Sequence, residues 1–353
     1  MKKIIFYITF LIIGFAVIEL GSWSTIKIYK LIKYPKENSN KKSEVVVLDN
    51  QSTSDFEKYY AFYGWKKKDI VSEKINVQNN LRKTKKNPNW DLKSKIWFFG
   101  GSTMWGEYVS DDNTIPSLAS ELNHNFQPVN YGESGYLSGQ SLNRLIENIN
   151  DINENDHVVF FDGVNDAYLN CHSIIGPNGH GLVPYIRQLI SNEKKVFGGL
   201  YTKGLEKFKQ TNTFILLNGI GKRLGLNDLR EQDDFKYYSC NKTEYANKVS
   251  EVLVRNWKIA EIITKNKKAN FTCILQPNPY TANFKVNQPT RKVWQQATLD
   301  VYPKIQELGK SLDCFNDLSD LFEEDYYIDY CCHVNKEGNK IISKKIINIL
   351  FKN

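Results

Sequence analysis

Four short stretches of this 353-residue chain carry side chains that a simple turn does not need. In FFGGSTMWG, residues 98–106, Ser102 follows an apolar run and two glycines. A serine there can attack a carbonyl carbon once a base takes its proton, or it can cap the helix that follows. The residues alone leave both uses open. The stretch is not the G-x-S-x-G elbow of α/β-hydrolases, because Met104 stands where that motif has its second glycine. NYGESG, residues 130–135, and DGVND, residues 162–166, each close a further apolar run. Gly135 can offer an uncrowded backbone N–H, and Asn165 a side-chain NH2, to an oxygen gaining negative charge. Glycine and asparagine also fill turns for conformational reasons.

The fourth stretch, DYCCHVNKEGN at residues 329–339, holds one of only five histidines. His124 and His157 fall at the ends of expected elements, and His172 and His180 in an irregular stretch. His333 alone has an acid, Asp329, close upstream at the opening of a helix, as a base with its orienter needs. Cys331, Cys332 and His333 also invite a metal reading. The chain has no C-x-x-C pair, and adjacent cysteines make poor co-ligands, so no metal and no cofactor is expected.

These stretches must be positioned by something, and the pattern around them supplies it. Ile96–Phe99, Pro128–Tyr131, Val158–Phe161 and Phe271–Gln276 are short apolar runs that predict strands. Between and after them helical spacing is predicted near 115–122, 138–149, 243–265, 290–308 and 336–351. Strand–helix alternation of this kind predicts an α/β fold, a three-layer α/β/α sandwich around a mostly parallel sheet. Reactive loops in such sheets lie beyond the carboxyl ends of the strands, where the first three of these stretches fall, and the fourth lies just before the last helix. Residues 170–240 break the rhythm and read as an insertion, either a lid beside the site or a helical pair packed on the flank.

With the four blocks in order over about residues 95–350, the chain resembles the SGNH/GDSL hydrolase superfamily. The resemblance covers some three-quarters of the sequence. It implies a serine esterase with Ser102 as nucleophile and His333 as base, followed by Gly338-Asn339 in the helix. It also implies an oxyanion hole made by the Ser102 and Gly135 N–H groups and the Asn165 side chain. Tyr63-Gly64-Trp65 together with FFGGSTMWG looks like an envelope-associated branch carrying an N-terminal membrane segment. One departure stands out: the family places its acid three residues before the histidine, where this chain has Tyr330. Asp329 is four before, so either the loop bulges and Asp329 completes a triad, or a Ser–His dyad works alone. The expected substrate is an O-acylated cell-envelope glycan, with a lipid ester, an O-acyl transfer or a catalytically inactive carbohydrate-binding module as alternatives.

Composition bounds the remainder. The chain is 41% hydrophobic and 24% charged, which excludes a disordered tail, a collagen-like repeat and a small disulfide module. Its net charge of +8 comes from scattered lysines without interleaved aromatics, so nucleic acid is not an expected partner. Residues 4–20, IIFYITFLIIGFAVIEL, contain only one charge, Glu19, and no convincing cleavage site follows. They are expected to be a transmembrane signal anchor, the whole segment running over 1–24. A linker at 25–58 and a lead-in lobe at 59–94 follow, and the catalytic domain occupies 95–353. Lys27, Lys30, Lys33, Lys36, Lys41 and Lys42 would by charge count keep the body cytoplasmic. The Lys2-Lys3 n-region ahead of an apolar run favours export, and export to the periplasm or the cell exterior is the expectation. Six cysteines allow disulfides after export, but their spacing specifies no pairing.

Overall fold

The computed structural model describes residues 2–33, 56–87, 94–190, 211–223 and 235–351. Strands β1 (Glu57–Tyr60) and β2 (Gly64–Lys67) form an antiparallel pair of their own. The main sheet has seven strands: β3 (Val77–Gln78), β4 (Leu81–Arg82), β5 (Lys95–Gly100), β6 (Gln127–Asn130), β7 (His157–Asp162), β8 (Asn270–Leu275) and β9 (Phe315–Asp317). Their order is β3-β4-β6-β5-β7-β8-β9. The five strands from β6 to β9 in that order run parallel, while β3 and β4 add an antiparallel edge through the Arg82–Asn130 register. The residues expected to form a lead-in lobe therefore supply two strands of the main sheet.

The central strands read as unbroken apolar runs because both faces are covered. Trp97 and Phe99 of β5, Val158 and Phe160 of β7, and Phe271, Cys273 and Leu275 of β8 share one core. Against that core pack Leu142 and Leu145 of helix Ser138–Glu147, with Leu253 and Trp257 of Thr243–Asn266 and Val301 and Ile305 of Lys292–Gly309. Ile96, Phe98, Val159, Phe161 and Ile274 point the other way. They meet Ile115 and Ala119 of helix Ile115–Leu122 and Ile342 and Ile346 of helix Lys336–Leu350. The period-2 alternation of each strand thus feeds two cores and fixes the three layers. Chain order in the parallel part reverses at β5, which has β6 on one side and β7 on the other. A crevice opens beyond the strand ends at such a switch point, and the loops after β5, β6 and β7 carry Ser102, Gly135 and Asn165.

The insertion is closed at its base. Cys171 is disulfide-bonded to Cys240, and Ser173 N–H donates to the Tyr237 carbonyl while Ser239 N–H donates to that of Cys171. A second disulfide, Cys273–Cys314, ties β8 to the residue before β9. Segments 191–210 and 224–234, part of the stretch expected to form either a lid or a flanking helical pair, lie outside the described residues.

A separate compact unit joins the N-terminal residues to 187–236. Within it lies the segment expected to span a membrane, residues 4–20. Among the described residues no helix is long and apolar enough to cross a membrane. One helix covers Lys2–Lys33, running on through Ser22, Ser24, Thr25 and Lys27. Glu19 interrupts the apolar run and is tied to the start of helix Asn212–Arg223. It accepts hydrogen bonds from the backbone N–H groups of Asn212 and Thr213 and from both their side chains. A carboxylate is stabilised at a helix N-terminus by just such orphan donors.

Closing chain loops of 69 and 41 residues removes entropy from the unfolded state. Each bond should contribute about 4 kcal/mol on the chain-entropy model. Replacing Cys171 and Cys240 together by serine is expected to lower the urea midpoint clearly, and an unchanged midpoint would argue that the bond contributes nothing.

Candidate active site

β5 ends in Gly100 and Gly101, and the close approach of neighbours explains both. A Cβ on Gly100 would come within 2.4 Å of the Phe161 carbonyl, and one on Gly101 within 2.6 Å of Asn165 Nδ2. Ser102 is the first residue of the short helix Ser102–Trp105, whose N-cap is Gly101. As the first helical residue, Ser102 has a backbone N–H with no intrahelical acceptor. Its hydroxyl does not cap the helix; Oγ lies 2.6 Å from His333 Nε2, across 231 residues of chain. That contact decides between the two uses of Ser102 that the sequence left open.

His333 Nδ1 lies 2.5 Å from Asp329 Oδ2, so Ser102, His333 and Asp329 form one continuous hydrogen-bonded chain. The extra residue between acid and histidine is absorbed by the loop. Asp329 Oδ1 accepts the successive backbone N–H groups of Cys331, Cys332 and His333 at 3.0, 3.2 and 3.3 Å. Ile328 N–H closes the loop onto the His333 carbonyl at 3.0 Å. Burial by itself would push the Asp329 carboxyl up. The His333 ring and the N–H groups of Cys331 and His333 outweigh it and hold the group below the usual carboxylate range.

Asn165 sits at the start of helix Val164–Asn170. Its Nδ2 donates one hydrogen to the Tyr136 carbonyl at 2.9 Å, and an amide NH2 has a second to give. Gly135 has φ +75°, in the left-handed region, and a Cβ there would meet the Trp65 ring at 3.3 Å. The expected residues thus fall on neighbouring loops: Ser102 touches His333, His333 touches Asp329, and Asn165 lies against Gly101. Together they can carry out acyl transfer, in which a hydroxyl attacks a carbonyl, an imidazole takes its proton and amide donors meet the oxygen.

Several residues that support the site were, Trp65 apart, not singled out from the sequence. Strand β2 clamps the Gly135 loop, with Trp65 Nε1 donating to the Ser134 carbonyl at 3.0 Å and Tyr136 hydroxyl donating to the Trp65 carbonyl. Glu133 is buried on the same loop and accepts from Lys67 N–H at 2.9 Å, while Lys67 Nζ lies 3.4 Å from Glu133 and 2.8 Å from Glu57. Asp166, next to Asn165, accepts from both the backbone and hydroxyl of Ser138, which fixes the two loops to each other. Tyr108, at φ +65°, sets its ring edge-on to His333 with centroids 5.3 Å apart. The aromatic density of Tyr59–Trp65 was a sequence signal for the clamp; Lys67–Glu133 had none.

Burial alone pulls the His333 imidazole down, but the Cys332 sulfur and the Asp329 carboxylate outweigh it and push the group up to about 9. Cys331 and Cys332, both buried, place their sulfurs 2.7 Å apart. These two and His333 also form a cluster whose donor atoms could face a metal ion. Both ring nitrogens of His333 are already engaged, however, so the cluster has no ring nitrogen to give.

No family model and no curated protein matches the chain. Solved structures do. A member of the lipolytic protein G-D-S-L family from Veillonella parvula is 11% identical, with 72% of this chain and 97% of that one covered at a TM-score of 0.40. The inhibitor-bound aryl esterase of M. smegmatis is 11% identical, covering 73% and 98% at 0.41. An acetylxylan esterase from Geobacillus stearothermophilus is 14% identical, covering 73% and 94% at 0.34. At these identities and TM-scores it is the residues of the site, and not the likeness, that carry the chemistry.

A raised folded-state pKa has a signed consequence. The His333 imidazolium favours the fold fully below the ordinary histidine pKa of about 6.5, and that contribution is lost as pH rises through about 9. With both loop cysteines reduced, the His333 ring proton observed by NMR should titrate well above 6.5; an ordinary midpoint would contradict the geometry.

Proposed function

We propose that the protein is a serine-dependent ester hydrolase of the SGNH/GDSL type. The observation that carries this reading is the unbroken Asp329–His333–Ser102 chain beside the Asn165 amide. In this mechanism neutral His333 takes the hydroxyl proton as Ser102 Oγ attacks the ester carbonyl, and Asp329 holds the ring and offsets the imidazolium charge. The oxyanion is met by the N–H groups of Ser102 and Gly135 and the second hydrogen of Asn165. His333 then protonates the departing alkoxide, leaving an acyl group on Ser102. Water, deprotonated by His333, attacks that acyl carbon and releases the acid. As the acyl–oxygen bond breaks, His333 passes the water proton to Ser102 Oγ, so serine and histidine regain their starting protonation, and the sequence of steps calls on no metal or organic cofactor.

The substrate class we favour is an O-acylated glycan of the cell envelope. Glu107, Tyr108 and Ser134 are half-exposed beside the Ser102–His333 pair, with Ser134 Oγ donating to Glu107. A polar and aromatic rim of this kind suits sugar hydroxyls better than an acyl chain. The inactive-module alternative drew on the extra residue before His333, and Asp329 reaches the ring despite it. Export is proposed on the strength of the two disulfides, which persist in oxidising compartments. Lipid contact is proposed for the N-terminal helix, where Phe10, Ile13, Val17, Ile18 and Leu20 are exposed.

Ser102→Ala should abolish hydrolysis of p-nitrophenyl acetate by the purified chain, and full retained activity would end the assignment. Asn165→Ala should reduce kcat about 100- to 1000-fold with little change in KM. An effect confined to KM would remove Asn165 from the oxyanion hole.

A further inference from the structure

Cys331 and Cys332 are not explained by the hydrolytic mechanism, yet they occupy the loop between its acid and its base. Their sulfurs are 2.7 Å apart, and both residues are buried. The other four cysteines of the chain are paired with each other, so each of these two has only its neighbour. The loop around them is held in place by the three N–H bonds to Asp329 and by the Ile328–His333 bond. Thr103 Oγ1 approaches Cys332 from the nucleophile helix, 3.4 Å from its carbonyl and 3.5 Å from its sulfur. The pair therefore touches both halves of the candidate site.

We propose that Cys331 and Cys332 form a disulfide between adjacent residues, and that this bond sets the charge beside His333. The oxidant is an organic disulfide, either a small molecule or an oxidoreductase. The Cys332 thiolate attacks one sulfur of the oxidant, forming a mixed disulfide and expelling a thiolate. The Cys331 thiolate then attacks Sγ of Cys332 and expels the second. Two thiols of the protein become one disulfide, the oxidant becomes two thiols, and the two protons pass to those products. Since both sulfurs are buried, exchange takes place on chains whose 328–333 loop is open, during folding or by local opening. Adjacent α-carbons lie about 3.8 Å apart, closer than the roughly 4.4 Å lower limit usual for a disulfide. The ring so formed is strained and easily reduced again.

The consequence follows from the groups around the imidazole. His333 faces Asp329 and Cys332 on its own loop, Glu107 and Tyr108 on the loop after the nucleophile helix, and the Ser102 hydroxyl. Burial pushes the Tyr108 phenol up to about 12, so it stays neutral. In the dithiol form, burial pushes the Cys332 thiol up, but the Cys331 bond and the His333 charge outweigh it and bring it down. A sulfur shifted in this direction favours negative charge beside the imidazole, which favours the protonated ring and opposes its use as a base for Ser102. Oxidation leaves no ionisable sulfur there and leaves Asp329 as the principal acid facing the ring. The bearing on ester cleavage rests on the function proposed above; the bond and the titration do not.

The test therefore avoids turnover. The whole chain is treated with oxidised glutathione, alkylated while denatured and unreduced, and digested with chymotrypsin. The peptide holding Cys331 and Cys332 should be unalkylated and lighter by two hydrogens, whereas two alkyl groups on it would overturn the proposal. Mild dithiothreitol should then open this bond while the same digest shows Cys171–Cys240 and Cys273–Cys314 intact. His333, assigned by loss of its ring signal in His333→Gln, should titrate at least about one unit lower in the oxidised form. Coincident midpoints would overturn the control of charge. Cys332→Ser, which keeps the loop but leaves no sulfur beside the imidazole, should show one midpoint with or without oxidant; a redox-dependent shift in that variant would equally overturn it. Loss of esterase activity in every form, with the bond and shift present, would count against the hydrolase reading only.

Discussion

The site depends on the two oxygens of Asp329 doing different work. Oδ1 gathers three successive backbone N–H groups and so shapes the loop, while Oδ2 meets the imidazole. A loop with one more residue than the D-x-x-H spacing would ordinarily carry the histidine out of reach. Here the extra length is taken up by a turn wound around the carboxylate that must reach the ring. One charged group thus supplies both the local fold and the orientation of the base. Charge-assisted hydrogen bonds are among the stronger ones available to a protein, and these are part-buried.

The donors opposite His333 are held by other means. The Gly135 loop is pressed from outside by β2, through Trp65 and the buried Lys67–Glu133 pair. From beneath, Asp166 anchors Ser138 and thereby the chain that follows Tyr136. Burying an ion pair costs desolvation that its attraction only partly offsets, so such a pair is weak evidence for stability. Its use here is geometric: it fixes the height of one loop relative to the strand that leads to Ser102. Gly100 and Gly101 complete the arrangement by letting β5 lie against Phe161 and Asn165 without a side chain between.

Much of this was legible in the residues. The strands β5 to β8 and the long helices could be placed because apolar periodicity records burial directly, and the central strands are buried on both faces. The short edge strand β4 and strand β9 carry too few residues for a period to show. The N-terminal run carries a contact that no local pattern shows. Its hydropathy predicts a span, but hydropathy does not register that Glu19 is satisfied by another helix far along the chain.

The sequence by itself determined the kinds of group available: a serine after paired glycines, a histidine with an acid upstream, and an asparagine and a glycine at strand ends. It determined the α/β architecture too, because periodicity is a local property of the chain. Only the tertiary structure decided that Ser102 faces His333 rather than capping its helix, that Asp329 reaches across one extra residue, and which four cysteines pair. Each of those depends on contacts between residues far apart in the chain or on the path of a loop, and neither composition nor spacing encodes a distance in space.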